Sequence, residues 1–426
     1  MNLKHPCISV VLLLFLFSSG AMHAQSNEGS SFDQSKFVPD IAFILDASAV
    51  ARDIKDQQYY SLTTPGVTFP FLTERGSSGA SAHRGMNFNY GELSLYSVVD
   101  PYFDLFAVIG LSPESAGLEE AYFSSRKLPY GLKLKAGKFL SSFGRVNEQH
   151  EHFWDFSNRP LIAAALFGEE GLNEIGAQMT WVAPTSYYLV FGAEVLNGEN
   201  QQSFGTTGFI RPTDGAAVDA VQGPNLYVGF VRSSIDIGDA SILFGVSDAF
   251  GKTRADQSVS SIVPTHEAVD ANTNIIGVNL TMKYSLDAIR FISFQSEYMH
   301  RSIDGTLYTT GPADEAIMPN LEKRHSGMYA QAVAMLDQRW EAGLRYDLLM
   351  QNDVTTGGID QHQPSQLPRY SAMIEYYPTE FSRFRLQLDR DESLFVPTAT
   401  GVSRRPYTQI VLQANLAIGA HGAHAF

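Results

Sequence analysis

The sequence predicts an all-β protein, a transmembrane antiparallel β-barrel of about 16 strands with short periplasmic turns and long extracellular loops. Three observations predict this fold. The chain opens with an export signal, its hydrophobic residues then alternate with a period of two, and the connections between the alternating runs are short and long in turn. No stretch beyond the signal is apolar enough for a membrane helix.

Residues 1–24 are typical of a secretory signal peptide. A positively charged start precedes an apolar run at 8–17, and the small residues of "SSGAMHAQS" lead to an expected cleavage after Ala24. The apolar run is too short for a membrane helix, which needs roughly 20 residues. We therefore expect a periplasmic N-terminal segment at residues 25–36 and the barrel at residues 37–426.

The composition excludes some functions and leaves a membrane barrel open. A formal net charge of −15 argues against nucleic acid as a partner, because an acidic surface is repelled by phosphates. A barrel keeps its charges on loops and in the lumen, so it tolerates such a charge. Cys7 is the only cysteine and lies in the signal, so the mature barrel must be held by backbone pairing and packing. No cofactor is expected.

The predicted strands share one alternating pattern. In "RWEAGLRYDLL", every second residue from Trp340 to Leu348 is apolar or aromatic, and charged residues or Gly lie between. In the run 289–300, Phe291 and Phe294 fall on opposite faces, which predicts a bulge or a buried aromatic ring. The alternation appears, in chain order, in the runs 37–50, 132–136, 274–284, 328–336, 339–349, 381–390 and 407–418.

Alternation also fits a soluble β-sandwich, and three features favour the membrane barrel instead. The polar faces are rich in Gly, Gln, Asn and mixed charge, and aromatic residues lie near the predicted strand ends, where an interfacial girdle is expected. These aromatic residues are Trp181, Tyr284, Trp340 and Tyr376. The third feature is the alternation of short and long connections. In a bilayer, such a sheet must close into a barrel, because every backbone N–H and C=O group needs a hydrogen-bond partner.

The connections fall into two classes. Tight turns containing Pro, Gly or Asp are predicted at 98–102, 127–131, 182–186, 236–240, 285–289, 335–339 and 376–380. Long connections are predicted at 52–85, 112–117, 140–173, 196–223, 250–271, 302–324, 352–368 and 392–405. This arrangement places both ends of the barrel on the short-turn side, and about 16 strands would enclose a water-filled channel.

The alternation assigns one face of each strand to lipid and the other to the lumen. In "LKLKAGKF", Leu132 and Leu134 face lipid, and Lys133 and Lys135 face a wet lumen. The predicted pore-lining residues are Lys133, Lys135, Lys283, Arg345, Arg383, Arg385, Glu194, Glu341, Asp347 and Asp389. Because lumen charges act at close range, the basic excess on these positions predicts a mild anion preference.

The connection at 140–173 is long and aromatic enough to fold back into the pore as a constriction loop. Its expected constriction residues are His150, His152, Trp154, Arg159, Glu169 and Glu170. In "HEHFWDF", His150 and His152 share a face if the segment is extended, and they are candidates for a zinc site. The preferred interpretation is a structured loop without metal. Arg159 is expected to clamp the loop through a nearby carboxylate.

The chain resembles the outer-membrane porins of the phosphate-selective O and P type. The resemblance rests on "GLEEAYFSSRKLPYGLKLKAGKFLSSFGRVNEQHEHFWDFSNRPL" (117–161) and "GEEGLNEIGAQMTWVAP" (168–184), and the terminal Phe426 is also similar to outer-membrane barrels. It covers most of the mature chain by architecture and residues 117–184 by motif. The resemblance implies passive, anion-preferring diffusion through a homotrimeric barrel in the outer membrane of a Gram-negative bacterium, with membrane lipid and small hydrophilic solutes or ions as partners.

A passive channel for small hydrophilic solutes is therefore the expected function. A ligand-specific or metal-related transport component is the first alternative, and a barrel enzyme or surface adhesin is the second. No enzyme activity is expected, because the sequence contains neither G-x-S-x-G nor H-E-x-x-H.

Overall fold

The computed structural model describes residues 39–67, 82–211, 214–256, 267–310, 316–398 and 401–419. The expected signal peptide, the periplasmic segment 25–36 and Phe426 lie outside the described residues. Sixteen strands pair antiparallel with their neighbours in chain order, and the last pairs with the first, so the sheet closes into a barrel. The predicted fold class is confirmed.

The barrel strands are labelled β1 to β16 in chain order. They are β1 Asp40–Arg52, β2 Gly85–Val98, β3 Phe103–Leu111, β4 Ala116–Ser125, β5 Leu132–Leu140, β6 Asn173–Val182, β7 Tyr188–Leu196 and β8 Leu226–Ile237. The second half of the barrel is β9 Ala240–Asp256, β10 Ala268–Ser285, β11 Phe291–Thr310, β12 Asn320–Met335, β13 Trp340–Thr356, β14 Leu367–Thr379, β15 Ser382–Asp391 and β16 Tyr407–Gly419.

Shorter elements lie in the connections. The described residues include two α-helices, α1 Asp56–Tyr60 and α2 Leu161–Phe167, and single 3₁₀ turns at Pro129–Gly131, Val146–Glu148 and Glu151–Phe153. Two-stranded ribbons pair Phe209–Ile210 with Ala217–Val218 and Phe395–Thr398 with Gly401–Arg404. Ala316–Ile317 and Ile359–Asp360 extend the pairing of β11 and β13. Among the described residues, no helix has the length and apolar character needed to cross a membrane.

Connection lengths follow the predicted alternation with one exception. The seven turns on one side have two to six residues, and β1 begins and β16 ends on that side. The connections on the other side have nine to 32 residues, except that only residues 112–115 join β3 to β4. The predicted long loop at 112–117 is therefore wrong. Strands β9 to β14 extend into the predicted loops at 250–271, 302–324 and 352–368, so the ends of these ranges are strand.

The outer face of the barrel is apolar. Leu344 and Leu412 are more than half exposed, whereas neighbouring residues on the opposite face of the same strands are buried. Exposed aromatic rings lie near the short-turn ends, where Trp340 packs against Tyr376 with ring centroids 4.8 Å apart. An apolar band edged by aromatic rings is the surface that a barrel presents to lipid.

Strand β11 resolves the ambiguous run at 289–300. Its pairing with β10 and β12 is continuous, so no bulge intervenes. Phe291 points into the lumen, where it lines a cavity, and its neighbour Ile292 is exposed on the outer face. An inward-facing aromatic ring, half-buried in the lumen, therefore explains the pattern without a bulge.

Candidate functional site

Residues 141–172 connect β5 to β6 and fold into the lumen; we call them the inward loop. Most of their apolar side chains are buried, and Phe143 packs edge-on against Phe167 with ring centroids 5.3 Å apart. These side chains form one apolar cluster with residues of the inner wall and with Val67, Phe204 and Phe395, which lie in three other connections. The lumen therefore contains an apolar core of its own, built by loops.

Carboxylates on the wall accept hydrogen bonds from the first part of the inward loop. Glu194 on β7 accepts from the Ser142 backbone N–H at 2.8 Å. Glu297 on β11 accepts from the N–H groups of Arg145 and Val146, each at 2.8 Å. Gly144 is needed at this turn, since its φ is +71° and a Cβ there would lie 2.3 Å from Glu297 Oε2. Each buried acceptor fixes one point of the loop.

A network of paired charges holds the second part of the loop. Asp347 on β13 is fully buried and accepts from the Leu161 backbone N–H at 2.7 Å. It also pairs with Arg345 at 2.9 Å and with Arg369 at 3.2 Å. Arg345 donates to the Asn158 carbonyl at 2.9 Å, and Arg369 donates to a carbonyl at 2.7 Å. The carboxylate receives the loop's N–H, and its arginines donate to the loop's carbonyls.

Side chains on β14 and β15 also form hydrogen bonds with the loop backbone. The Trp154 carbonyl accepts from Arg385, which pairs with Glu375, and from Arg383. Gln387 accepts from the Ser157 backbone N–H at 2.7 Å. We call the network on β13 to β15 the arginine anchor. Its residues are Arg345, Asp347, Arg369, Glu375, Arg383, Arg385 and Gln387.

A different cluster lies where the loop passes β2 and β4. The His150 Nε2 lies 2.8 Å from Glu120 Oε2. Its Nδ1 lies 3.5 Å from Glu92 Oε2 and 3.7 Å from Glu119 Oε2. The His152 Nδ1 lies 3.2 Å from the same Glu92 oxygen, and the two imidazoles are stacked. We call these five residues the histidine–glutamate cluster.

A cavity of about 640 Å³ lies between the inward loop and the short-turn ends of β10 to β15. Its charged lining residues are Arg145, Asp155, Arg339, Glu341, Arg345, Glu380 and Arg383. Burial is the main cause that raises the pKa of Asp155 to about 6. The nearby Glu375 carboxylate also raises this pKa, and the positive charges of Arg385 and Arg383 lower it. Charged and apolar side chains both line this cavity, and the loop closes it on one side.

All ten predicted pore-lining residues belong to the inner face, but most do not line open water. Lys133 is exposed, Lys135 lies over the Phe139 ring at 4.2 Å, and Lys283 lies over Phe291 at 4.2 Å. The other seven are buried, namely Glu194, Glu341, Arg345, Asp347, Arg383, Arg385 and Asp389. Several serve the loop as hydrogen-bond partners, so they cannot act as free charges in a channel.

The predicted constriction residues divide into two groups. His150, His152 and Trp154 lie in the lumen against the wall. Glu169 and Glu170 follow α2 and are exposed. Arg159 is buried, with its guanidinium 5.0 Å from the Trp154 ring, and it donates to Asn147 at 3.5 Å. No ion pair joins it to a carboxylate within the part of the chain that the structure describes, so the expected clamp is not formed by direct pairing.

Sequence reasoning missed several site residues. Glu297, Arg369 and Glu375 occupy inner positions of alternating runs, so the strand phase could have found them. Glu119 could not be found that way. The pairing of β3 with β4 shifts between Val108 and Ile109, and this bulge turns Glu119 inward beside its neighbour Glu120.

Comparison with known proteins finds a relative by sequence and several solved structures with a similar overall fold. OmpT of Vibrio cholerae is 11% identical with a TM-score of 0.49, covering 89% of this chain and 97% of that one. The DcaP channel of Acinetobacter baumannii is 9% identical, TM-score 0.49, with coverages of 90% and 98%. An anion-selective porin from Comamonas acidovorans is 10% identical, TM-score 0.48, with coverages of 90% and 100%. Likeness of this degree says nothing about the solute of this chain.

No family model matches the chain. A protein of Aquifex aeolicus (strain VF5), described as uncharacterized, is 43% identical over 402 residues, which cover 93% of this chain and 82% of that protein. The chain therefore belongs to the same family as this Aquifex aeolicus protein.

Proposed function

We propose that the protein is an outer-membrane channel for passive diffusion of small hydrophilic solutes, narrowed by the inward loop. The observation that carries this proposal is the closed barrel itself. It has an apolar outer face, a polar inner wall and a solute-sized cavity beneath a loop that crosses the lumen. A closed barrel of 16 strands is wide enough to enclose an aqueous path.

Charge in the cavity supports a mild anion preference. Arg145, Arg339 and Arg383 reach the cavity, and Asp155, Glu341 and Glu380 oppose them. The pKa of Asp155 is raised to about 6, so this carboxyl becomes neutral as the pH falls through 6, and the basic groups are then in excess. Channel walls of low dielectric focus such charges on a passing ion.

The proposed location and assembly follow from the same barrel. The apolar band would contact outer-membrane lipid after removal of residues 1–24, and a homotrimer is the assembly that the resemblance implies. No enzyme activity is proposed. A metal-related transport role has one observation in its favour, the histidine–glutamate cluster on the inner wall.

Single-channel recording tests the channel proposal. The mature chain is refolded in detergent and added to a planar bilayer, with heat-unfolded protein as the control. A stable open conductance and a small zero-current potential of anionic sign in a KCl gradient are expected. Replacing chloride by phosphate tests whether the porin resemblance extends to phosphate. Folded protein that inserts without any conductance would overturn the channel proposal.

A pair of matched variants tests the selectivity. Arg339 lines the cavity, whereas Arg290 is an exposed arginine on another short turn, where it pairs with Asp287 at 2.7 Å. Arg339→Glu should move the zero-current potential toward cations, and Arg290→Glu should leave it unchanged. Equal shifts from both variants would show that the cavity does not set selectivity.

A further inference from the structure

The histidine–glutamate cluster has the spacing of a metal site. The His150 Nδ1 lies 3.5 Å from Glu92 Oε2 and 3.7 Å from Glu119 Oε2, and the three ligand atoms lie within 4.8 Å of one another. Two ligands of a tetrahedral zinc ion with bonds of about 2.0–2.1 Å are separated by about 3.3–3.4 Å. The two distances from Nδ1 exceed the 2.7–3.2 Å range of a hydrogen bond and approach this ligand spacing.

The second nitrogen of His150 is oriented as in known zinc sites. Its Nε2 lies 2.8 Å from Glu120 Oε2, whose other oxygen accepts from the Leu140 backbone N–H at 2.8 Å. With the Nε2 proton held by Glu120, a cation that displaces the Nδ1 proton can bind the Nδ1 lone pair beside Glu92 and Glu119. Carboxylate–histidine–metal relays of this kind orient the ring and strengthen it as a ligand.

The barrel wall is modified locally to bring the second carboxylate to this point. The bulge in β4 directs both Glu119 and Glu120 toward His150, where a regular strand would alternate them. On the paired strand, Gly110 leaves room for the Glu119 carboxylate, because a Cβ there would lie 1.9 Å from Glu119 Oε1. A larger residue at Gly110 would displace the carboxylate from the cluster.

Charge and access also suit a cation. Three carboxylates meet two imidazoles, so one protonated imidazole leaves these five groups with two net negative charges. Glu92 and Glu120 are nearly buried, and the Glu119 side chain is 41% exposed, which gives an ion a route from the lumen. Mixed imidazole and carboxylate ligands select transition cations over Mg²⁺ or Ca²⁺.

We propose that His150, Glu92 and Glu119 bind one divalent transition cation of the zinc class. Glu120 is a positioning residue for His150, and His152 supports the shared Glu92 oxygen. The ion joins the inward loop to strands β2 and β4, so it fixes that part of the loop against the wall. This site goes beyond the proposed channel function and does not depend on it.

Metal titration of the refolded full mature chain tests the site. The protein carries no affinity tag, is stripped with a chelator, and is titrated calorimetrically with ZnCl₂ and, separately, with MgCl₂. One equivalent of Zn²⁺ should bind, and Mg²⁺ should not. Glu119→Gln and His150→Ala should weaken Zn²⁺ binding at least tenfold, and Glu120→Gln about 10–100-fold. His362→Ala removes an exposed histidine beside Asp360 and should change nothing.

Heat-modifiable migration on gels confirms that each variant folds. Glu119→Gln preserves shape at a half-exposed side chain, so it separates ligand loss from misfolding. The proposal is overturned by wild-type protein that binds no stoichiometric Zn²⁺, by Zn²⁺ binding that Glu119→Gln leaves unchanged, or by equal affinity for Mg²⁺. A loss in His362→Ala equal to that in His150→Ala would overturn it as well. None of these results depends on conductance.

Discussion

The inward loop meets the wall at two clusters that differ in charge balance. At the arginine anchor, each buried carboxylate faces an arginine, as Asp347 faces Arg345 and Arg369, and loop backbone groups bond to both kinds of partner. At the histidine–glutamate cluster, three carboxylates face two imidazoles, whose charge depends on pH. One contact is therefore complete within the chain, and the other has room for a cation.

The difference teaches how one loop can be both fixed and adjustable. Removing one partner of a buried ion pair is strongly destabilising, because the other charge is left uncompensated. Removing one of several like charges relieves repulsion instead. We therefore expect substitutions at the two clusters to change the free energy of unfolding in opposite directions. The arginine anchor holds the second half of the loop under all conditions, whereas the turn at His150 is held firmly only when a cation is bound.

Breaking the arginine anchor should have the largest effect. Asp347→Ala leaves two buried arginines without their carboxylate and removes the acceptor of the Leu161 N–H. A loss of about 3–5 kcal/mol in the free energy of unfolding is expected. Urea unfolding of protein folded in detergent or lipid vesicles measures it. A loss below 1 kcal/mol would show that the network does not hold the loop.

A smaller loss is expected at the first part of the loop. Glu297→Ala removes the acceptor for the N–H groups of Arg145 and Val146 and for the Tyr329 hydroxyl. Arg145 and Val146 border the cavity, so water can restore part of each bond, and we expect a total loss of about 1–3 kcal/mol rather than the sum for three unpaired donors. Unfolding under the same urea conditions should place this variant at or above the stability of Asp347→Ala. If Glu297→Ala were less stable than Asp347→Ala, the main attachment of the loop would be to β11 and not to β13.

The histidine–glutamate cluster should respond in the opposite direction. Without added metal, Glu119→Gln removes one of three neighbouring carboxylates. The free energy of unfolding should change by no more than about 0.5 kcal/mol, or rise, as expected for a half-exposed group relieved of like charge. Destabilisation comparable to Asp347→Ala would mean that this cluster is as balanced as the arginine anchor.

The smallest expected effect is a pH dependence of selectivity. The pKa of Asp155 is raised to about 6, so the carboxyl is ionised above that pH and neutral below it. Groups near it include Gln331, Arg345, Glu375, Arg383 and Arg385. As pH falls from 7 to 5, the cavity loses one negative charge and anion preference should increase by a few millivolts of zero-current potential. Asp155→Asn should abolish this pH dependence. If the variant kept the same pH dependence, another titrating group would be responsible.

The sequence was sufficient for the barrel because alternation is a property of each strand alone. It predicted the inner face of β13 through Arg345 and Asp347, and the inward course of the loop through its length and aromatic content. It did not predict the partners of these charges, since contacts between a loop and distant strands leave no local pattern. The β4 bulge at Glu119 breaks alternation, so phase reasoning could not place that carboxylate inside.

Conductance without the inward loop tests most directly whether this loop constricts the channel. Leu140 pairs with Asn173, so an Asn-Gly turn can replace residues 141–172 while β5 and β6 keep their register. Heat-modifiable migration checks that the shortened barrel folds. In planar bilayers, the single-channel conductance should rise several-fold over the full-length chain. A folded, inserted barrel with unchanged conductance would contradict the account, because the loop would then not limit the path.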